Sequence, residues 1–174
     1  MLTRFIQPEE SSWPEILKRP SLDAFSLNEK VREIMSAVRE NGDQALRDLA
    51  KRFDSAELDS VLVTEEEFDE AEQSLSSELK EAIKLASDNI RKFHEGQRMN
   101  EPRIETMPGV TCWREARPIQ KVGLYVPGGT APLFSSVLML AIPAKIAGCQ
   151  EIVLASPPLQ NGTIHPAILF AARH

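Results

Sequence analysis

The sequence has 174 residues, of which 42% are hydrophobic and 26% are charged, a mixture typical of one globular domain or one domain with a helical appendage. Its formal net charge of −6 argues against nucleic acid as the main partner, because phosphate binding needs a basic surface. Three His and two Cys, without C-x-x-C or H-x-x-x-H spacing, cannot form a closed zinc site by themselves.

The termini and the cysteines predict a soluble, cytoplasmic protein. The N-terminus has no apolar signal core, and the longest apolar stretch, residues 137–142, is far too short to span a bilayer, so no membrane partner is expected. Cys112 and Cys149 are expected to be free thiols rather than a disulfide. Residues 167–174 resemble the middle of an apolar helix without a capping glycine, which predicts that the chain is a fragment of a longer protein.

The first part of the chain is predicted to be an arm followed by helices. Proline recurs within residues 1–25 and no hydrophobic period holds there, which predicts an irregular N-terminal arm. Ser26 and Glu29 fit a capping box at the start of a helix, and Gly42 is expected to end that helix. Asp43 can then cap the next one.

A strongly acidic stretch follows at residues 57–81, with ten acids against one base. We interpret it as the solvated face of a helical pair rather than as an acidic binding site. Thr64 and Glu67 form a second capping box. Apolar residues then recur at steps of three and four, which predicts either one long amphipathic helix or two helices with Ser76 or Ser77 as the second N-cap.

The C-terminal part is predicted to contain strands. Residues 103–115 are typical of a β-hairpin around a Pro-Gly turn. Strands at 121–126 and 151–155 are joined by an apolar helix at 133–147, an order that gives a right-handed βαβ unit with parallel strands. Pro166 is expected to open a further helix.

The apolar helix at 133–147 carries three local signals. Pro132 suits its first turn, Pro143 is expected to kink or end it near residue 142, and Gly148 is expected to cap it. The helix is apolar nearly all round, which predicts burial on several sides.

Together these elements predict an α/β fold, with a helical N-terminal half followed by the start of a parallel-sheet, incomplete Rossmann-type domain. We divide the chain into an N-terminal arm at 1–25, a helical region plus β-hairpin at 26–120, and a truncated α/β nucleotide-binding-type domain at 121–174.

The candidate binding feature is the turn Pro127-Gly128-Gly129, which lies between the first parallel strand and the apolar helix. It lacks both the G-x-G-x-x-G spacing of a dinucleotide fingerprint and the lysine of a P-loop. Two glycines permit close approach of a ligand, and the next helix offers free N–H groups, so a cofactor or anion cradle is one interpretation. The other is a tight strand-to-helix turn that needs glycine only for its geometry. The residues alone favour neither.

Four side chains near these elements could carry chemistry. Tyr125, the only tyrosine, lies at the end of the strand and could contact a ring or a ribose hydroxyl, or could be a half-buried aromatic with its hydroxyl in water. His94 suits a helix C-terminus, His165 precedes the Pro166 helix, and His174 is terminal. No pair of these has the geometry of a base and its orienting partner, so no catalytic residue is assigned.

A longer run around the glycine turn resembles a known family. Residues 122–156, which include the run YVPGGTAPLFSSVLMLAIPAKIAGC, closely resemble histidinol dehydrogenase. Further similar segments lie at residues 41–46, 51–54, 89–97 and 108–110. The resemblance covers nearly the whole chain and corresponds to the N-terminal part of the family, whose members are more than twice as long.

The resemblance implies an enzyme of histidine biosynthesis that depends on NAD and zinc and oxidises L-histidinol to L-histidine in two hydride transfers. It also implies a homodimer with intertwined subunits and a fold related to the aldehyde dehydrogenases. In the family the tyrosine before Pro-Gly-Gly contacts NAD, which carries over to Tyr125. Pro127, Gly128 and Gly129 are weaker candidates for the same cradle.

The family's zinc ligands, its catalytic Glu-His pair and its substrate-binding residues correspond to positions beyond residue 174. No metal ligand can therefore be assigned in this chain, and we expect these 174 residues alone to be catalytically silent. Two other functions remain open, a stand-alone nucleotide-binding module and an interaction module that dimerises through its helical half.

Overall fold

A computed structural model describes residues 3–19, 24–98, 101–128 and 131–174. The chain forms two compact units, Met1–Gly42 and Asp43–His174, which are described separately here. Nothing in this division tests the three-part division made from the sequence, which stays a prediction.

The first unit is helical. A 3₁₀ turn, Glu10–Ser12, leads into the short helix α1, Trp13–Ile16, and a long helix α2 spans Ala24–Asn41. The arm at 1–25 is thus less irregular than predicted, because Pro14 occupies a first-turn position where its missing N–H is not needed. The capping box at Ser26 is wrong, since the backbone there is already helical. Gly42 ends α2 as predicted, with φ +56°.

The second unit begins with four helical segments. Helix α3, Asp43–Leu49, runs into a π-helical turn, Ala50–Asp54, and is followed by α4, Glu65–Ser74, and α5, Ser77–Glu95. The predicted capping box of α4 is confirmed, with Glu67 N donating to Thr64 Oγ1 (3.3 Å) and Thr64 N donating to a Glu67 carboxylate oxygen (2.8 Å). Ser76 Oγ accepts from Leu79 N at 3.2 Å, so the two-helix alternative is correct.

The described residues form two sheets of two strands each. Strands β1, Ile104–Met107, and β2, Val110–Cys112, pair antiparallel around Gly109, as predicted. Strands β3, Lys121–Tyr125, and β4, Glu151–Ala155, pair parallel and in continuous register, with Tyr125 opposite Ala155. The predicted order of a helical part followed by parallel strands is therefore confirmed.

Helix α6, Phe134–Ala147, connects β3 to β4, and α7, Pro166–Arg173, follows β4. Gly148 caps α6 with φ +92°, as predicted. Pro132 lies before α6 rather than in its first turn, so that expectation is wrong. Pro143 does not end the helix near residue 142, because the loss of one backbone hydrogen bond does not outweigh the packing of the flanking turns, and α6 continues to Ala147. The alternative, a kink at Pro143, stays a prediction.

The core of the second unit lies between α5, α6, α7 and the inner face of the β3–β4 pair. Its largest fully buried side chains are Phe170, Ile83, Leu138, Val126 and Val137. Burial of α6 is one-sided, contrary to expectation, because Met139 is 52% and Leu140 39% exposed on its other side.

Helix α7 is also tied to α4 by charge. Arg173 Nη1 donates to Asp69 Oδ1 at 2.6 Å and Arg173 Nη2 donates to Glu65 Oε2 at 3.1 Å. The hydrogen bond from Arg173 to Asp69, aided by the neighbouring negative charges, raises the pKa of the guanidinium. Part of the acidic stretch therefore binds this arginine rather than facing only solvent. No helix in the described ranges is both long enough and apolar enough to cross a membrane.

Candidate functional site

The candidate site is the C-terminal edge of the β3–β4 pair, where open α/β sheets bind ligands. Tyr125 is the last residue of β3 and is 64% exposed. The next residue, Val126, is fully buried, and its N–H donates to the Ala155 carbonyl at 2.9 Å. The buried Val126 thus anchors the chain directly after β3, while the Tyr125 side chain stays exposed.

The glycine turn begins directly after this anchor. Pro127 and Gly128 are both exposed, while Gly129 lies outside the described residues. A Cβ built on Gly128 would lie 2.6 Å from Cγ of Pro157, the second residue after β4. Gly128 therefore has a packing reason to be glycine, because a methyl group would displace the proline ring. This observation supports the geometric interpretation of Gly128 and leaves the cradle interpretation untested.

Helix α6 begins beyond the turn. Its N-cap, Leu133, makes no side-chain capping bond within the described part of the chain, and its first turn carries Ser135 and Ser136. Ser136 N–H bonds to the Leu133 carbonyl at 2.9 Å. An apolar N-cap leaves part of the positive end of the helix dipole and part of the first-turn N–H set without a side-chain acceptor. This end of α6 can therefore attract an anionic group.

The strand edge also holds a residue that sequence reasoning missed. The hydroxyl oxygen of Ser156, which directly follows β4, is shielded from solvent and has no hydrogen-bond partner among the described residues. Its position after a strand was the only available signal, and serine there more often satisfies nearby backbone. An unpaired hydroxyl at this edge fits a ligand with hydrogen-bond acceptors, such as a dinucleotide.

The described residues do not fit a zinc ion. No group of three or more His, Cys, Asp or Glu side chains within the described ranges is arranged to hold a metal. The three histidines have other local partners. His94 Nδ1 lies 2.8 Å from Gln97 Oε1, His165 Nδ1 accepts from Ala167 N at 3.2 Å, and His174 Nδ1 lies 3.1 Å from the Phe170 carbonyl.

A cavity of about 480 Å³ lies elsewhere in the second unit, beside the C-terminal ends of α5 and α6. It is lined by polar and charged side chains, among them Arg98, Arg114, Arg117, Glu101 and His94, and by apolar residues that include Pro143 and Ile146. Arg114 and Glu101 are paired at 2.7 Å. None of the predicted cradle residues described by the structure lines this cavity, and it borders the opposite end of α6 from the glycine turn. We therefore assign the candidate site by chemistry and topology rather than by cavity size.

Comparisons with known proteins identify relatives along nearly the whole chain. Residues 17–174 match the family model described as histidinol dehydrogenase. A histidinol dehydrogenase of Bacteroides fragilis is 58% identical over 166 residues, which cover 95% of this chain and 39% of that protein. A histidine biosynthesis trifunctional protein of Komagataella pastoris is 49% identical over 158 residues, covering 91% of this chain and 19% of that protein.

A solved structure has the same fold. The crystal structure of histidinol dehydrogenase from Elizabethkingia anophelis matches with a TM-score of 0.89 and 46% sequence identity. The match covers 97% of this chain and 39% of that one. The chain thus spans about two fifths of the length of the histidinol dehydrogenases it matches.

Proposed function

Because the chain belongs to the histidinol dehydrogenase family, we propose that it forms one wall of the NAD site of a cytoplasmic enzyme that oxidises L-histidinol to L-histidine. The observation that carries the proposal is the juxtaposition of Tyr125, the glycine turn and the α6 N-terminus at one edge of a parallel strand pair. Since the chain spans 39% of the length of the Bacteroides fragilis relative, the complete reaction is proposed for a longer polypeptide.

In this proposal the bound NAD supplies the hydride acceptor, and the residues of this chain bind and orient it. The exposed phenol of Tyr125 offers a ring face and a hydroxyl for the nucleotide. The exposed backbone at Pro127 and Gly128 allows close approach, and the α6 N-terminus favours the negatively charged diphosphate. Gly129 is proposed for the same cradle from the sequence alone. These roles place the dinucleotide without contributing a proton-transfer group.

We propose that zinc is bound by residues of the longer polypeptide and not by this chain. The described residues offer no ligand set for it, so we derive no step through the metal in this chain. We propose that the family's zinc ligands and catalytic pair are needed to complete the enzyme, and that these 174 residues alone are catalytically silent.

NAD titration of the purified chain, followed by backbone amide NMR, tests the binding role. We expect weak binding, with a dissociation constant in the millimolar range, because the chain supplies only one wall of the site. Tyr125→Ala should abolish the shifts. Trp113→Ala is the matched control, because Trp113 is a similarly exposed aromatic residue, at 51%, on the segment after β2. Shifts that are equal in both variants would remove Tyr125 from the site.

An activity assay tests whether the chain is catalytically inactive. L-histidinol, NAD and zinc are added to the purified chain, and NADH formation is followed by absorbance. We expect no histidinol-dependent signal. A measurable signal would show that the chain contains its own catalytic groups.

A second function, dimerisation, is favoured by one observation. Helix α2 exposes an apolar stripe made of Leu27, Val31, Ile34 and Met35, each between 37% and 63% exposed. We propose a homodimer in the longer enzyme, and this stripe is a candidate contact in it. Sedimentation equilibrium of the wild-type chain and of Met35→Glu tests this, because a dimer through α2 should dissociate in the variant. A wild-type chain that stays monomeric at high concentration would leave α2 without this role.

A further inference from the structure

The strongest unexplained feature of the candidate site is the hydroxyl of Ser156. It is the one buried side-chain oxygen or nitrogen without a hydrogen-bond partner in the described ranges. Native proteins rarely tolerate such an atom, because an unpaired buried hydroxyl lowers stability by its full desolvation cost. A function in ligand binding would explain why the Ser156 hydroxyl has no partner among the described residues.

The position of Ser156 is specific. The last register pair of the parallel strands joins Tyr125 to Ala155, so Val126 and Ser156 are the residues that follow on each strand. Val126 is fully buried and its N–H is already bonded to the Ala155 carbonyl. The apolar neighbour therefore offers the hydroxyl no side-chain acceptor.

The helical layer lies over the same side of the strands. Leu154, two residues before Ser156, packs against the core formed by α5, α6 and α7. Alternation along β4 places Ser156 on that side, and α6 begins at this edge with no side-chain cap from the described residues. Because α6 follows the end of β3 and Ser156 follows the end of β4, the hydroxyl and the helix N-terminus both belong to the C-terminal edge of the strand pair.

We propose that the hydroxyl of Ser156 donates a hydrogen bond to a diphosphate oxygen of the dinucleotide bound at this edge. The inference rests on the proposed NAD site and adds a donor to it. Binding pairs the orphan hydroxyl, so part of the affinity comes from removing a cost present in the free chain.

Ser156→Ala separates this role from a structural one. If the hydroxyl is unpaired in the free chain, its removal should leave the thermal midpoint unchanged or raise it, while the NAD dissociation constant rises about fivefold for one lost hydrogen bond. ADP should show the same rise, and adenosine, which carries no phosphate, should show none.

Ser74→Ala is the matched control. Its hydroxyl is partly buried and donates to the Ala71 carbonyl at 2.9 Å, away from the strand edge. Its removal should lower the thermal midpoint and leave NAD binding unchanged. A midpoint of Ser156→Ala that falls as far as that of Ser74→Ala would show that the Ser156 hydroxyl is already bonded, and would overturn the proposal.

The NAD-binding measurement distinguishes the proposed role of Ser156 from the proposed dinucleotide site. NAD binding by the wild-type chain that Ser156→Ala leaves unchanged overturns the role of Ser156 alone. A wild-type chain that binds neither NAD nor ADP overturns the dinucleotide site and the role of Ser156 together.

Discussion

Helix α7 and the β1–β2 hairpin have similarly apolar residues in opposite environments. In α7, five consecutive residues from 167 to 171 are buried, and Phe170 is 1% exposed. In and beside the hairpin, Ile104, Met107 and Trp113 are 58%, 60% and 51% exposed. Both segments were predicted from local signals, a first-turn proline for the helix and a Pro-Gly turn for the hairpin.

The difference shows that forming an element and burying it are separate events. Helix α7 has α4 and α6 beside it and a charged clamp at Arg173, whereas every residue of β1 and β2 is exposed. An isolated hairpin of this length is marginal in water, so its order depends on local contacts such as Arg103 over the Trp113 ring at 4.6 Å. Stability should therefore concentrate around α7.

The largest expected loss of stability comes from a substitution in the buried helix α7. Phe170→Ala removes the largest fully buried side chain and should lower the free energy of unfolding by about 3–5 kcal/mol. Phe93→Ala, at a ring that is 65% exposed on α5, should change it by less than about 1 kcal/mol. Urea denaturation measures both. Equal losses would mean that burial in this structure does not report the packing in solution.

A second test sharpens the comparison at the candidate site. Gly128→Ala should lower the free energy of unfolding by about 1–3 kcal/mol, because its Cβ would overlap the Pro157 ring. Gly123→Ala is the control in β3, since nothing among the described residues lies within 4 Å of its added Cβ, and it should be neutral or stabilising by about 0.5–1 kcal/mol.

The contact between Gly128 and Pro157 can be checked with a double variant. Adding Pro157→Ala to Gly128→Ala should restore part of the lost stability, because the two changes act on one contact. Strictly additive losses in urea denaturation would place the cause of the Gly128 effect outside that contact.

The smallest effect concerns the exposed pair between Lys51 and Glu57. Lys51 Nζ donates to Glu57 Oε1 at 2.7 Å, and this hydrogen bond, with the lysine charge, lowers the pKa of Glu57 from its ordinary value. A carboxylate with a lowered folded-state pKa stabilises the fold above its unfolded pKa, and this contribution is lost as the pH falls through the folded pKa.

Thermal midpoints of wild type and Glu57→Gln across the acid range check this pair. The wild type should be slightly more stable near neutral pH, and the difference should vanish in strong acid. Because both side chains are exposed, high salt should also reduce it. A difference that persists at the lowest pH would assign the effect to something other than the charge of Glu57.

Local signals predicted most element boundaries. The Thr64–Glu67 box, the Ser76 cap and Gly148 were each readable because a cap depends on residues within one helical turn. Pro132 lies just outside α6, and α6 does not end at Pro143, because its packing outweighs the local preference of proline. Arg173, 104 residues from Asp69 in sequence, had no local signal for its partner at all.

The candidate site also contains some features that the sequence predicted and others that it did not. Tyr125 and the glycine turn were recognisable as a strand-turn-helix sequence and as a family resemblance. The Gly128–Pro157 contact and the unpaired hydroxyl of Ser156 were not, because each depends on the parallel pairing of two strands separated by a helix.

The sequence by itself determined the order of helices and strands, the caps that bound several of them, and the family resemblance, since all three depend on residues near one another along the chain. Only the tertiary structure decided which apolar faces are buried, why residue 128 is glycine, and that the Ser156 hydroxyl has no partner among the described residues at the strand edge. These features depend on side chains brought together from distant segments, where volume and hydrogen-bond partners are set by neighbours that no local pattern specifies.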